Sequence, residues 1–456
     1  IRTRHEESAV TAAAGYSRST GELGVCTTTK GPGFTNSINA LIAAARGHVP
    51  LLHITGESKV TKAKPYGSSQ EVDQESLAAI IGAGYYAVPE PHQLEEQFWT
   101  AARSALQTGR PQILALADRW FDENVSLINE SGRSVRPDLE PDTDSVIAVI
   151  DELQAAKRPL ILAGWGAVLS DCRDALTELA EVSGARLANS LRANCFFSGH
   201  PNDLGLCGSW SPIPVRNVIN QIDLVLSFGA SLSKHTTESN AIFGGAKLVQ
   251  CEVDDQARFH ASSPELFLLG DAKISAQALL NEWKRRNLEN RNAPLSIPTR
   301  ENIKTSILKV DLGHKAARGL DPRAVYSKLD EVLPKNRVVT TDNGRFVATS
   351  PSLIKAQDAK SWLIGNAYGS IGLGLGATIG AAVAFPDRKV VLLSGDGGFA
   401  MAAQELDAIR QGKLENIIIV IMNDQLYGSD LKYLRRFGLP TDCLLYTSDA
   451  ADEGLG

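Results

Sequence analysis

A single carboxylate stands among glycines directly after an apolar run in "VVLLSGDGGF", residues 390–399. Asp396 follows this predicted strand, and Asn423 follows the next predicted strand, "NIIIVIM". One predicted helix joins the two strands, so a right-handed crossover places both strand ends on one edge of a parallel sheet. Ligands of open α/β sheets bind at that edge. We therefore expect Asp396 and Asn423 to share a site.

A diphosphate held by a divalent cation fits this pattern. Asp396 would repel a free diphosphate, so a cation must lie between them. The carboxylate of Asp396, the amide oxygen of Asn423 and the backbone carbonyl of Gln425 are hard ligands suited to Mg²⁺ or Ca²⁺. Taken alone, Gly-Asp-Gly is equally compatible with a tight turn in which Asp396 caps a helix. Three glycines let the backbone approach a ligand closely: Gly395, Gly397 and Gly398.

Composition excludes several classes of partner. The 456 residues suffice for about three domains, and 43% hydrophobic with 21% charged residues is typical of a globular protein. The net charge of −6 is spread along the chain without a basic block, which argues against nucleic acid. Six cysteines without a C-x-x-C pair indicate reduced thiols in a cytoplasmic protein, not a zinc site or a disulfide framework.

One uncharged stretch is long enough to span a bilayer: "NAYGSIGLGLGATIGAAVAF", residues 366–385. Its five glycines and its polar residues make it only modestly hydrophobic. We expect a closely packed helix inside a globular domain, and no membrane partner.

Strand-like apolar runs alternate with helical patterns, which predicts an α/β protein with three doubly wound parallel-sheet domains. A polar segment with two prolines predicts a linker before the third domain. The chain begins without methionine, and "CLLYTSDAADE" resembles a translated sequencing adapter, so we expect a fragment with a non-native tail. The predicted parts are a first domain at 1–125, a Rossmann-like middle domain at 140–283, the linker at 284–319, a third domain at 320–441 and the tail at 442–456.

The spacing of these motifs resembles that of thiamine diphosphate enzymes. Twenty-five residues separate Gly397 from Asn423, as in the family's metal and diphosphate motif, and "RHEESA", residues 4–9, resembles the R-H-E-x-x-A segment of its pyrimidine-binding domain. The resemblance implies that Asp396, Asn423 and Gln425 hold Mg²⁺ and that Glu6 is the catalytic glutamate. A carboxylate bonded to N1′ of the aminopyrimidine favours the tautomer whose 4′-nitrogen removes the C2 proton of the thiazolium.

The resemblance extends to further residues around the cofactor. The glycine-rich stretch places Ile371 where the family uses a bulky residue to bend the cofactor, and backbone at Gly369 and Ile371 would bond the pyrimidine. Gln70 in "SSQEVDQ" aligns with an active-site glutamine, although a simple polar loop position fits as well. Four residues are expected to touch or close over the diphosphate: Asn343, Gly344, Tyr427 and Gly428.

The order of domains resembles that of acetolactate synthases, which implies thiamine diphosphate- and Mg²⁺-dependent decarboxylation and carboligation of a 2-oxo acid. A 2-hydroxyacyl-CoA lyase or oxalyl-CoA decarboxylase-like C–C lyase acting on an acyl-CoA, and a non-catalytic nucleotide-binding homologue, remain alternatives. The middle domain carries "GASLSKH" at 229–235 where acetolactate synthases typically carry "GARFDDR", so FAD is not supported. The family also implies a homodimer or homotetramer in which Glu6 completes the site of another subunit.

Overall fold

The three predicted α/β domains are confirmed, with parallel pairing in three sheets. The first and third domains belong to one compact unit, made of Ile1–Arg136, Arg337–Val347 and Leu363–Gly456. The second unit comprises Pro137–Asn336 and Ala348–Trp362. The expected tail, 442–456, lies outside the described residues. The computed structural model describes residues 1–57, 69–117, 139–259, 263–290, 295–310, 319–365 and 367–441.

The first domain has a four-stranded sheet in the order β1-β2-β4-β3. Successive strand residues face opposite sides, so Leu51 packs with helices on one face and Leu52 with α5 on the other. The sheet is therefore covered on both faces, as parallel sheets are. Its elements are α1 (Glu6–Thr20), β1 (Gly24–Thr28), α2 (Pro32–Asn36), α3 (Ile38–Arg46), β2 (Leu51–Glu57), α4 (Gln74–Ile81), β3 (Gly84–Val88), α5 (Leu94–Thr108) and β4 (Pro111–Ala117).

The second unit contains a six-stranded sheet in the order β10-β9-β8-β5-β6-β7, which is the strand order of a Rossmann fold. Its central strands β5 and β8 are buried throughout, in keeping with their apolar sequences. Its elements up to the predicted linker are α6 (Thr143–Ala155), β5 (Pro159–Ala163), α7 (Trp165–Leu169), α8 (Arg173–Ser183), β6 (Arg186–Asn189), β7 (Asp203–Leu206), α9 (Ile213–Ile219), β8 (Leu224–Phe228), α10 (Lys234–Thr237), β9 (Lys247–Glu252), β10 (Leu266–Leu269) and α11 (Ala272–Arg285).

The expected linker, 284–319, contains a helix among its described residues, α12 (Arg300–Leu308). Thr299 and Asn302 form a capping box at its start, a signal that the polar composition concealed. The helix α13 (Pro322–Val332) begins at the expected aspartate cap and proline but belongs to the second unit, not to the third domain. The short helix α14 (Ser350–Leu353) belongs to the same unit.

The third domain has a sheet in the order β12-β11-β13-β14, so the carboxyl ends of β11, β13 and β14 are neighbours. Only part of the uncharged 366–385 stretch is helical, and no helix among the described residues is long and apolar enough to cross a membrane. The elements are β11 (Val338–Thr341), β12 (Trp362–Ile364), α15 (Gly374–Ala384), β13 (Val390–Gly395), α16 (Asp396–Ala402), α17 (Leu406–Gln411), β14 (Ile417–Met422) and α18 (Gly428–Arg436).

Helix α1 of the first domain packs directly against the backbone of α15 of the third. A Cβ atom at Gly15 would lie 2.2 Å from the carbonyl oxygen of Ala377, and one at Gly380 would lie 1.9 Å from that of Ala12. Neither distance is possible between real atoms, so only glycine permits the approach. Because α1 begins at Glu6, this contact brings the predicted catalytic residue to the third domain.

We expect Gly380→Ala to destabilise the protein, because the added methyl group must push α1 away from α15. Overpacking of this kind costs about 1–3 kcal/mol. Gly319→Ala is the matched control, since a Cβ there would meet no atom within 4 Å. Thermal unfolding followed by circular dichroism should show a lower midpoint for Gly380→Ala and an unchanged one for Gly319→Ala. Equal midpoints for both variants would contradict the close packing.

Candidate functional site

Glu6 is the first residue of α1 and is half-buried. The preceding His5 caps this helix, because its Nδ1 accepts a hydrogen bond from the amide of Glu7 at 3.1 Å. The amide nitrogen Nδ2 of Asn36 donates to Oε2 of Glu6 at 3.1 Å. The other oxygen, Oε1, lies over the glycine turn, where a Cβ at Gly33 would come within 3.5 Å of it. One oxygen of the carboxylate is therefore held by Asn36, which the sequence analysis did not single out.

The second glutamate of the motif connects to the glycine-rich segment of the third domain. Asn39 donates from Nδ2 to Oε1 of Glu7 at 2.5 Å and to the hydroxyl of Ser370 at 2.8 Å. Ser370 immediately precedes Ile371, which is half-buried, and follows Gly369, whose φ of +85° favours glycine. The RHEE motif and the segment predicted to support the cofactor thus meet within a single unit.

The predicted metal ligands converge on one backbone amide. The N–H of Gln425 donates to Oδ2 of Asp396 at 3.1 Å and to Oδ1 of Asn423 at 3.2 Å. Gln425 adopts a φ of +56°, a left-handed conformation that is uncommon for a residue with a side chain. Gly395 ends β13, and Gly397 is buried in the first turn of α16. The two side-chain oxygens therefore lie together at the strand ends, as the spacing predicts.

This donor set fits a hard cation, because it combines a carboxylate, an amide oxygen and the nearby backbone. In the described part of the chain, no group of three or more His, Cys, Asp or Glu side chains could hold a metal ion. A metal at the Asp396 edge would thus depend on a single carboxylate from the protein. Such a site suits a cation that is shared with an anionic ligand.

Asp342 is a buried acid that the sequence analysis missed. It follows β11, is only 1% exposed, and accepts hydrogen bonds from the amides of Asn343 at 2.7 Å and Gly372 at 3.0 and 3.1 Å. Burial raises its pKa to about 6, while these amide hydrogen bonds act in the opposite direction. A Cβ at Gly398 would lie 2.3 Å from its Oδ2, so Gly398 must be a glycine. An acid directly after the apolar run "RVVTT" was the available signal.

Asn343 also ties the strand end to the glycine-rich segment. Its Nδ2 donates to the carbonyl oxygens of Gly365 at 2.8 Å and Ser370 at 2.6 Å. The neighbouring Gly344 is exposed and has a φ of +152°. Contact of Asn343 and Gly344 with a diphosphate stays a prediction.

An arginine that the sequence analysis did not single out lies beside the predicted diphosphate site. A Cβ at Gly428 would lie 3.0 Å from Cζ of Arg345, so the guanidinium rests on this buried glycine. Its Nη2 pairs with Asp424 at 3.1 Å, and both side chains are about half exposed. Tyr427, which immediately precedes Gly428 and α18, is half-buried. A cation is thus available where an anionic ligand was expected.

Gln70 lies next to the glycine turn through its backbone. A Cβ at Gly31 would come within 1.9 Å of the carbonyl oxygen of Gln70, whose side chain is exposed. Gln74 is instead the buried glutamine: its Oε1 accepts from the Gly31 amide at 3.2 Å, and its Nε2 donates to the Gly56 carbonyl at 3.0 Å. A catalytic role for Gln70 stays a prediction.

In the middle domain, two glycine turns meet at the point where the strand order reverses. There the amide of Gly166 donates to the carbonyl of Gly229 at 2.9 Å, and is therefore engaged within the protein. A Cβ at Gly164 would lie 2.1 Å from the same carbonyl oxygen, so the two glycine turns are in contact. Trp165 between them is buried. The turns that would cradle a pyrophosphate in a Rossmann fold pack against each other.

Three family models match successive parts of the chain. The "Thiamine pyrophosphate enzyme, N-terminal TPP binding domain" matches residues 1–77. The "Thiamine pyrophosphate enzyme, central domain" matches residues 146–279, and the "C-terminal TPP binding domain" of the same enzymes matches residues 342–438. The matched segments contain the motifs of the first and third domains with part of each sheet, and the whole Rossmann-like sheet between them.

Curated relatives share this similarity over most of their length. A "Probable acetolactate synthase large subunit" of Methanococcus aeolicus is 28% identical over 99% of this chain and 78% of its own. The "Acetolactate synthase, chloroplastic" of Arabidopsis thaliana is 27% identical over 99% of this chain and 68% of its own. The "Acetolactate synthase large subunit" of Pyropia yezoensis is 29% identical over 93% and 72%, respectively.

Asp342 should make stability depend on pH. An acid whose pKa rises from 3.8 to about 6 on folding binds more protons in the folded state, so its titration lowers the free energy of unfolding as pH rises through that window. Relative to Asp342→Asn, the unmodified protein should lose about 1–3 kcal/mol of that free energy between about pH 4 and pH 7. Chemical denaturation across this range measures it.

Asp387→Asn is the control, since it removes a carboxylate from an exposed turn. Its stability difference from the unmodified protein should vary little with pH. A pH-independent difference for Asp342→Asn would contradict the effect of burial on Asp342.

Proposed function

Because the chain belongs to the thiamine pyrophosphate enzyme family, we propose that it is a Mg²⁺-dependent enzyme that decarboxylates a 2-oxo acid and joins the remainder to a second carbonyl compound. The observation that carries the proposal is the convergence of Asp396 and Asn423 on the Gln425 amide, in the same unit as Glu6. The names of the relatives, acetolactate synthases, support a carboligation that starts from a 2-oxo acid.

Asp396, Asn423 and the carbonyl of Gln425 would hold the Mg²⁺ ion that neutralises the diphosphate. Gly395 and Gly397 keep side chains away from it, and Arg345 offers a positive charge at the same edge. The hard oxygen donors and the clustering of their side chains support this assignment. The metal would thus fix the charged end of the cofactor.

Glu6 would act at the other end of the cofactor. Thiamine diphosphate supplies the carbanion and the electron sink that decarboxylation of a 2-oxo acid requires. Glu6 would hold a proton at its carboxylate and bond the pyrimidine ring, with Asn36 keeping Oε2 in place and leaving Oε1 for the ring. Ile371, fixed through its neighbour Ser370, would support the bent cofactor. FAD takes no part in this proposal.

We also propose a homodimer or homotetramer in the cytoplasm, in which Glu6 on the pyrimidine-binding domain of one subunit completes the site on the diphosphate-binding domain of another. The five cysteines in the described ranges are free and buried. Burial raises the pKa of Cys26, Cys207 and Cys251 to about 12, which keeps these thiols protonated and unreactive. That none of these five cysteines forms a disulfide supports a reducing compartment.

Pyruvate is the substrate with which to test the reaction. We expect the full chain with thiamine diphosphate and MgCl₂ to convert pyruvate to CO₂ and acetolactate, detected by NMR. Glu6→Gln should lower kcat by about 10²- to 10⁴-fold, the usual contribution of a general acid or base, while cofactor binding in calorimetry stays within about tenfold.

Glu7→Gln is the matched control, because it changes the neighbouring carboxylate and keeps an acceptor for Asn39. It should retain most of the activity. Cleavage of a 2-hydroxyacyl-CoA without consumption of pyruvate would replace the proposal by a lyase. Full turnover in Glu6→Gln would remove Glu6 from the reaction.

Removal of the metal should abolish cofactor binding, and removal of its carboxylate ligand should weaken it. EDTA is expected to prevent binding of thiamine diphosphate in calorimetry, and Mg²⁺ should restore it. Asp396→Asn should weaken binding at least about 100-fold, because even an outer partner of a metal site contributes about 10- to 100-fold.

The control for this charge change is Asp424→Asn, which removes an adjacent exposed carboxylate paired with Arg345. Binding should change little in this variant. An equal loss in both variants would show that general charge, not metal ligation, is responsible.

A further inference from the structure

Glu405 is a completely buried acid in the short helical turn between α16 and α17. Its carboxyl oxygens both lie 3.0 Å from the amide nitrogen of Arg4, and Oε1 lies 2.9 Å from that of His5. All three bonds come from the main chain. The partners are about 400 residues apart in sequence, so this contact joins the third domain to the segment that leads into α1.

The hydrogen bonds define the role of the carboxyl group. The guanidinium of Arg4 donates to Asp407 and not to Glu405, so Glu405 is not the partner of the arginine's charge. A buried carboxyl group is costly unless hydrogen bonds satisfy it, and the two amides meet that need. Any apolar replacement would leave these amides without an acceptor. Glu405 therefore binds the backbone of Arg4 and His5, and not the side chain of Arg4.

The backbone that Glu405 holds is the two residues before Glu6. The carbonyl of His5 in turn accepts from the amides of Ser8 at 3.1 Å and Ala9 at 3.2 Å, so it starts the helix. Anchored amides at Arg4 and His5 leave the Cα position of Glu6 little freedom, and Asn36 restrains its side chain. The Glu6 side chain is thus restrained at its backbone by Glu405 and at its carboxylate by Asn36.

We propose that Glu405 is a positioning residue for Glu6, fixing the backbone from which the Glu6 carboxylate reaches the pyrimidine ring of the cofactor. This inference rests on the proposed function, because it needs Glu6 to be catalytic. A displacement of about 1 Å at a reacting group can cost about 10²-fold in rate. A purely structural anchor would lower stability without acting through Glu6, and this difference is testable.

Amide hydrogen exchange measures the restraint itself, without any cofactor. In the full chain, Glu405→Gln replaces an acceptor oxygen by an NH₂ donor and should speed exchange in the peptide that covers Arg4 and His5. Asp407→Asn is the matched control: it removes the side-chain partner of Arg4 and should leave these amides protected. Unchanged exchange in Glu405→Gln would overturn the proposal.

Kinetics then separates positioning from general stabilisation. Glu405→Gln should lower kcat about 10- to 100-fold with little change in KM or in thiamine diphosphate affinity. Combined with Glu6→Gln, it should produce no further loss, because a residue that acts through Glu6 has no effect once Glu6 is gone. Multiplicative losses in the double variant would assign Glu405 a structural role only.

Glu405→Asp provides a second variant if Glu405→Gln does not fold. It keeps the carboxyl group but shortens the reach to the two amides, so kcat should fall to an intermediate value. Full activity in Glu405→Asp together with unchanged amide exchange would also overturn the proposal. If Glu6→Gln alone retains turnover, the proposed function fails first; if Glu6→Gln is inactive and Glu405→Gln is fully active, only the positioning role fails.

Discussion

The direct contact between α1 and α15 is the constraint on which the site depends. Gly15 and Gly380 carry no side chain that would separate the two helices, so the backbones of α1 and α15 are in contact. Helix α1 starts at Glu6, and α15 follows the segment that carries Ile371. A larger residue at Gly15 or Gly380 would move the Glu6 carboxylate relative to the ends of β13 and β14. The geometry of the proposed reaction is therefore set by packing far from the reacting atoms.

Buried acids on the third domain secure this arrangement through main-chain amides. Asp342 holds the amide of Gly372 and packs on Gly398, which joins the glycine-rich segment to the strand end that bears Asp396. Glu405 holds the amides before Glu6. Both carboxyl groups are buried. Inside the protein, backbone amides are their principal hydrogen-bond partners. Rigid positioning of this kind suits a cofactor whose two ends must be held at a fixed separation.

Features encoded by local spacing could be predicted from the sequence. Asp396 and Asn423 each follow an apolar strand, and parallel topology alone brings their side chains together. Asp342 follows the same rule, but in "TDNGR" the next two residues, Asn343 and Gly344, carry the resemblance to the family. The role of Glu405 had no local signal, because its partners lie at the opposite end of the chain. Similarly, α12 was missed because few of its residues are buried, so its sequence lacks a strong apolar pattern.

We infer that the first and third domains bind thiamine diphosphate and activate it. The rate at which the bound cofactor exchanges its C2 hydrogen for solvent deuterium measures this most directly, in the full chain loaded with Mg²⁺ and without substrate. General base assistance predicts exchange at least about 10²-fold faster than in the free cofactor. Exchange at the rate of the free cofactor, with calorimetry showing that it is bound, would contradict the account.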